Sequence, residues 1–300
     1  MPLTSFTTKI LCNTSGSGKT RLLLEGLCLN WGLYFTAETQ PEGVGSEDLE
    51  FVLRSLHDFS RLIKLTDTNV DTAVAENRAV TTRRFLILLY VRLLIFRVFL
   101  ERASATPSGI VDEHKRRWLL IQLAPVTLLG TDIFHSLTVS LLAASPLYLM
   151  QGVESELAKV RKFLLRSELF CVLDEAQAPT NMFSDCFFSE ATPATPRPIL
   201  RQLITCWEKI LPNFIISGTG ISMEGIETVF ASAVAKVASL GSRTITDTGA
   251  FNDAKSQRAY LKRYLPEKYL DTEAGKVVAS RVRFWLHGRW VMEMSLTSED

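Results

Sequence analysis

The sequence predicts an α/β protein built on a largely parallel sheet, and three observations predict it. Short apolar strand signals alternate with helical spacing along the chain. Two of those strands end in residue types suited to phosphate and metal chemistry. The second and third strands are separated by well over a hundred residues of mostly helical pattern, far more than one crossover requires.

The strand signals fall at residues 8–12, 33–36, 169–173 and 213–217, with a weaker fifth near 243–247. Helical spacing occupies 20–30, 49–62, 85–100 and 118–123. Residues 102–111 carry Ser, Thr, Pro and Gly, and 189–198 contain three prolines, so both read as connectors. The long gap implies a helical insertion over about 44–166, set within a core spanning 1–250. From 251 to 300 the pattern turns helical. Tyr260, Leu261, Tyr264 and Leu265 precede Pro266, and Val277, Val278, Val282, Trp285 and Leu286 follow it. Two helices broken by a proline predict a small C-terminal lid.

Composition narrows the function classes. The chain has 300 residues, 47% hydrophobic and 22% charged, which is enough apolar material for a full core. Its 33 basic residues nearly cancel 32 acidic ones, so no long-range positive field draws nucleic acid or an anionic membrane. The short basic run His114, Lys115, Arg116, Arg117 reads as a solvated helix face, with no clear nucleic-acid site. Cys12, Cys28, Cys171, Cys186 and Cys206 are scattered without CxxC spacing, which suggests a reducing compartment and no cysteine metal site. His57, His114, His135 and His287 lack zinc-ligand spacing. The start, from Met1 to Phe6, has neither the basic nor the apolar stretch of a signal peptide, so an intracellular location is expected, cytoplasm and nucleus not being distinguished. Residues 85–100 are the strongest membrane candidate. Arg92 and Arg97 interrupt them at about 2.5–3.5 kcal/mol each near a bilayer centre. Leu86, Leu89, Leu93, Phe96 and Leu100 recur on one helical face, which predicts a buried amphipathic helix instead.

The chemistry begins at Asn13, Thr14, Ser15, Gly16, Ser17, Gly18, Lys19 and Thr20, followed by Arg21. Glycines at 16 and 18 allow the backbone to curl and point successive N–H groups at phosphate oxygens. Lys19 adds a movable positive charge, the Thr20 hydroxyl is suited to magnesium, and the helix beginning there turns its positive end toward the anion. This is a P-loop for a nucleoside triphosphate. Asn13 stands where the motif has glycine, but asparagine tolerates positive φ.

An apolar strand ending in Asp174 and Glu175 supplies a Walker B pattern. Asp174 would hold magnesium, directly or through a water, and Glu175 is suited to orient or deprotonate an attacking water. Gln177 could sense a γ-phosphate or sit on a first helical turn. In P-loop ATPases with an extra strand between the two motif strands, a polar residue at the end of that strand approaches the γ-phosphate. Ser217 or Thr219 fits that role. Among lid arginines Arg281, Arg283 and Arg289, Arg289 is the choice for a finger.

The run from Asn13 to Leu27, with Trp31, Gly32, Leu33, Tyr34 and Phe35 after it, resembles the P-loop NTPase region of fungal Crinkler-like proteins. Gly43 to Ser46, Trp118 to Gln122, Asp132 to Phe134, Asp174 to Gln177, Ser217 to Gly220, Thr248 to Phe251 and Trp285 to Arg289 follow in the family's order, covering about residues 7–290. The resemblance implies a STAND-like or AAA-like ATPase core with ATP and Mg2+ as ligands, followed by a helical lid. The chain ends soon after Arg289, where a family member ordinarily continues, so a truncated product is expected. Two functions compete. One is a switch ATPase; the other is a nucleotide-binding scaffold without useful hydrolysis, with a protein partner engaged through the insertion. The sequence leaves oligomeric state and base identity open.

Overall fold

The computed structural model describes residues 9–13, 18–39, 44–58, 62–66, 70–165, 167–188, 196–219, 243–245, 254–262, 265–266 and 268–285. Among these residues five strands form one sheet: β1 (Lys9–Asn13), β2 (Trp31–Thr36), β3 (Leu169–Asp174), β4 (Asn213–Thr219) and β5 (Arg243–Ile245). Their order is β2-β3-β4-β1-β5 and every pairing is parallel, so all five carboxyl ends point to one edge. The expected α/β class with a parallel sheet is what the chain adopts. Strand β4 runs to Thr219, two residues past its expected end, because Gly218 and Thr219 pair with Cys12 and Asn13.

Alternation along the strands sends successive side chains to opposite faces. One face carries Leu11, Tyr34 and Val172, which pack with Leu23 and Leu27 of α1 (Lys19–Leu29) and with Leu119. The opposite face carries Leu33, Phe35, Cys171, Leu173, Phe214 and Ile216, which join the main core. The result is a three-layer arrangement with helices over both faces. Gly32 sits where α1 crosses β2. A Cβ there would lie 2.3 Å from Cδ2 of Leu27 and 3.2 Å from the Phe170 carbonyl oxygen.

Among the described residues between β2 and β3 lie six helices, in keeping with the long helical gap between strand signals: α2 (Asp48–Asp58), α3 (Val70–Ser104), α4 (Glu113–Leu123), α5 (Pro125–Leu129), α6 (Ile133–Ser140) and α7 (Pro146–Leu164). Helix α2 is described as far as Asp58; residues 59–61 of its expected span lie outside the described residues, and Leu62 is not helical. Helix α3 is 35 residues long and packs against α6, α7 and α8 (Ile199–Glu208). Its middle departs from the expected one-sided pattern. Phe85, Ile87, Leu88 and Val91 are as buried as Leu86, Leu89, Leu93, Phe96 and Leu100, because neighbours surround it on all sides. No helix among the described residues is long and apolar enough to cross a membrane.

The two arginines that break the apolar run of α3 are both paired. Arg92 is fully buried and makes a bidentate ion pair with Asp48, with N–O distances of 2.9 and 3.0 Å. Its guanidinium lies 4.8 and 3.9 Å from the ring centroids of Phe35 and Phe134. Arg97 pairs with Glu156 of α7 and with Glu101.

Strand β2 is a sheet edge, and α4 covers it. The Gln122 amide accepts from the Tyr34 N–H at 2.9 Å and donates to the Gly32 carbonyl at 3.2 Å, while the Trp118 indole donates to that carbonyl at 2.8 Å. These bonds satisfy backbone groups that a further strand would otherwise take. Beyond β5, α9 (Ala254–Leu261) and α10 (Glu273–Trp285) pack on one another, with Pro266 in the segment between them. Tyr264 and Leu286, assigned to that lid, lie outside the described residues.

Candidate functional site

The site forms at the carboxyl edge of the sheet, on the face that carries α1. Asn13 is the last residue of β1 and pairs in register with Thr219. Thr14, Ser15, Gly16 and Ser17 lie outside the described residues. Gly18 precedes α1 with φ 84°, in the left-handed region that glycine enters without a Cβ penalty, and its carbonyl accepts the Leu22 N–H at 2.9 Å. Helix α1 has no acidic residue in its first turn, so its positive end is not offset by its own carboxylates. Lys19 is the first helical residue and is 6% exposed.

Thr20 follows and reaches the second motif. Its hydroxyl donates to Oδ2 of Asp174 at 2.8 Å across 154 residues of sequence. Parity explains the meeting. Asp174 lies two residues beyond Val172 and so shares its face, which is the α1 face. Asp174 is 2% exposed. Its Oδ2 also accepts the Tyr34 hydroxyl at 3.2 Å, and its Oδ1 accepts the Glu175 backbone N–H at 3.0 Å. Burial first, and then the charge of Asp174, push the Tyr34 phenol well above its ordinary range, so it stays protonated as a donor.

Glu175 terminates β3 in a left-handed conformation with φ 53°, which costs a non-glycine residue about 1–2 kcal/mol. Adjacent bonds hold that turn. The Ala176 N–H donates to the Ser217 carbonyl at 2.9 Å, and the Ala37 N–H donates to the Asp174 carbonyl at 3.0 Å. The Gln177 side-chain amide donates to the Glu175 carboxylate. Gln177 therefore sits against Glu175, on the turn before a short 3-10 segment (Ala178–Thr180).

Ser217 belongs to β4, the strand lying between β1 and β3. It shares the face of Ile215, which packs with the α1-side cluster, and its register partner is Leu11. Ser217 is fully buried, and its hydroxyl has no hydrogen-bond partner among the described residues. An orphaned buried hydroxyl costs about 1–3 kcal/mol unless a ligand or water meets it.

Two further residues assigned to the site are exposed. Arg21 is on the exposed side of α1, where its guanidinium pairs with Glu25 at 2.7 Å. Arg281 is exposed on α10, and Arg289 lies outside the described residues. Tyr34 is the residue that motif reading missed. Its signal was available in part, since an apolar strand of six buried residues next to the motif strand places every second side chain on the Asp174 face.

The donors now in place are a hydroxyl and a carboxylate in contact, a nearby lysine and a helix N-terminus. That set suits a polyanion accompanied by a hard divalent cation. No protein-family model, curated protein or solved structure matches the chain.

Proposed function

We propose that the chain binds a nucleoside triphosphate with magnesium at this edge and hydrolyses it, working as a switch ATPase. The observation that carries the proposal is the Thr20–Asp174 hydrogen bond of 2.8 Å, which joins two motifs 154 residues apart. Either motif alone is a common turn. Their contact supports a single site. The position of β4 between the two motif strands adds weight, because it is the arrangement of P-loop ATPases with an extra strand. The motif order shared with the Crinkler-like NTPase region is in keeping with it.

The residues fit the ligands. Lys19 and the backbone around Gly18 hold phosphate oxygens. Thr20 would give its oxygen lone pair to magnesium while its hydroxyl proton is donated to Asp174. Magnesium, when bound, neutralises charge developing on the phosphates. Glu175 orients the attacking water and takes its proton, and Gln177 holds that carboxylate in place. The buried hydroxyl of Ser217 donates toward the terminal phosphate or the water, a role open to a group with no partner among the described residues. Adenine is the proposed base, by the same resemblance.

Phosphate release by the wild-type chain, Lys19→Ala and Glu175→Gln tests hydrolysis. The proposal expects turnover in the wild type and roughly 100-fold less or lower in Glu175→Gln, in keeping with loss of a general base. Wild-type release no faster than Glu175→Gln, with nucleotide still bound, favours the scaffold function.

A further inference from the structure

We propose that Tyr34 is a positioning residue for the magnesium at this site, acting through Asp174; the inference rests on the nucleotide reading above. A carboxylate offers about four lone-pair positions. In Asp174 three of them accept described donors. Oδ2 takes two hydroxyl protons, from Thr20 at 2.8 Å and Tyr34 at 3.2 Å, and Oδ1 takes the Glu175 N–H at 3.0 Å.

This occupancy fixes what each group can offer a cation. The Thr20 proton is committed to Oδ2, which leaves the Thr20 oxygen lone pairs for the metal. Oδ2 cannot turn to a cation without expelling a donor, and only Oδ1 keeps a free position. Tyr34 is what fills Oδ2. Without its hydroxyl the carboxylate can turn about the Cβ–Cγ bond, and the Thr20 hydroxyl loses its fixed acceptor. The tyrosine is well placed for the task. It is 2% exposed, its backbone is held at the sheet edge by Gln122, and its ring packs in the cluster of Leu23, Leu27, Leu119 and Val172. Groups that orient metal-binding carboxylates typically change metal affinity by about 10–100-fold when removed.

Tyr34→Phe removes the hydroxyl and keeps the ring. The experiment titrates Mn2+ into protein with saturating ATP by electron paramagnetic resonance. In parallel it measures ATP affinity in EDTA and the melting temperature without ligands. The expected result is an Mn2+ dissociation constant raised about 10-fold in Tyr34→Phe, with ATP affinity in EDTA and melting temperature unchanged. In an Asp174→Asn background the same substitution has no further effect on Mn2+, because Tyr34 acts through that carboxylate. Unchanged Mn2+ affinity in Tyr34→Phe, with wild type binding Mn-ATP, overturns the role of Tyr34 and leaves the nucleotide site standing. A lowered melting temperature with unchanged Mn2+ affinity makes Tyr34 purely structural and overturns it too. Failure of the wild type itself to bind Mn-ATP overturns both readings.

Discussion

Asp48 at the root of the helical insertion and Asp174 at the edge of the sheet are both almost wholly buried, at 0% and 2% exposure, yet their surroundings are opposite. Asp48 meets a bidentate arginine that is itself stacked between two aromatic rings. The hydrogen bonds that reach Asp174 from described residues come from two hydroxyls and one amide N–H, all neutral. A buried charge with a full counter-ion is committed to the fold. One held by neutral donors has no counter-ion among those bonds, which is what the proposed magnesium site requires. The insertion is fastened by electrostatics that are closed, and the sheet edge carries electrostatics that are open.

The comparison can be broken first at Arg92. Arg92→Met leaves Asp48 buried without its partner, and stability should fall by about 3–5 kcal/mol, read as a lower urea midpoint. A loss below about 1 kcal/mol would show that the pair does not hold the insertion. At the sheet edge the opposite substitution should behave differently. Asp174→Asn should leave the metal-free urea midpoint nearly unchanged, while magnesium-dependent nucleotide affinity falls by about 10–100-fold. A stability loss as large as that of Arg92→Met would make Asp174 another structural carboxylate.

Smaller effects sharpen the picture where the two regions touch. Gln122→Ala strips the Tyr34 N–H of its acceptor at the sheet edge and should lower stability by about 1–2 kcal/mol, with faster amide exchange at Tyr34. The smallest effect concerns Glu156, in the α3–α7 contact. Burial raises its carboxyl, but hydrogen bonds from Lys159 and Arg97 outweigh that and hold it below its ordinary value. A depressed carboxyl stabilises the fold above its unfolded value, and the contribution is lost as pH falls through the folded value. Acid titration of stability should therefore be shallower for Glu156→Gln than for the wild type. An identical profile would remove Glu156 from the acid response.

Motif residues were legible because their chemistry restricts the choice of side chain. Thr20 and Asp174 needed only a shared face and a common sheet edge to meet, and the sheet order supplies both. The insertion was legible as a length and a helical pattern but not as a packing. Arg92 read as an interruption of an apolar face, since periodicity reports the face of a helix and not a partner 44 residues away. Tyr34 was hidden for a related reason. Within β2 it is one aromatic among buried neighbours, and only the register beside β3 brings its hydroxyl to Asp174. Arg21, next to the motif, lies on an exposed part of α1 and pairs with Glu25.

Equilibrium binding of ATP in the presence of magnesium, measured by calorimetry on the wild-type chain and on Lys19→Ala, tests the central claim most directly. The account predicts one site per chain in the wild type, and affinity at least about 10-fold weaker once the charged contact to phosphate is removed. Equal affinity in the two proteins, or no binding by the wild type, would contradict it.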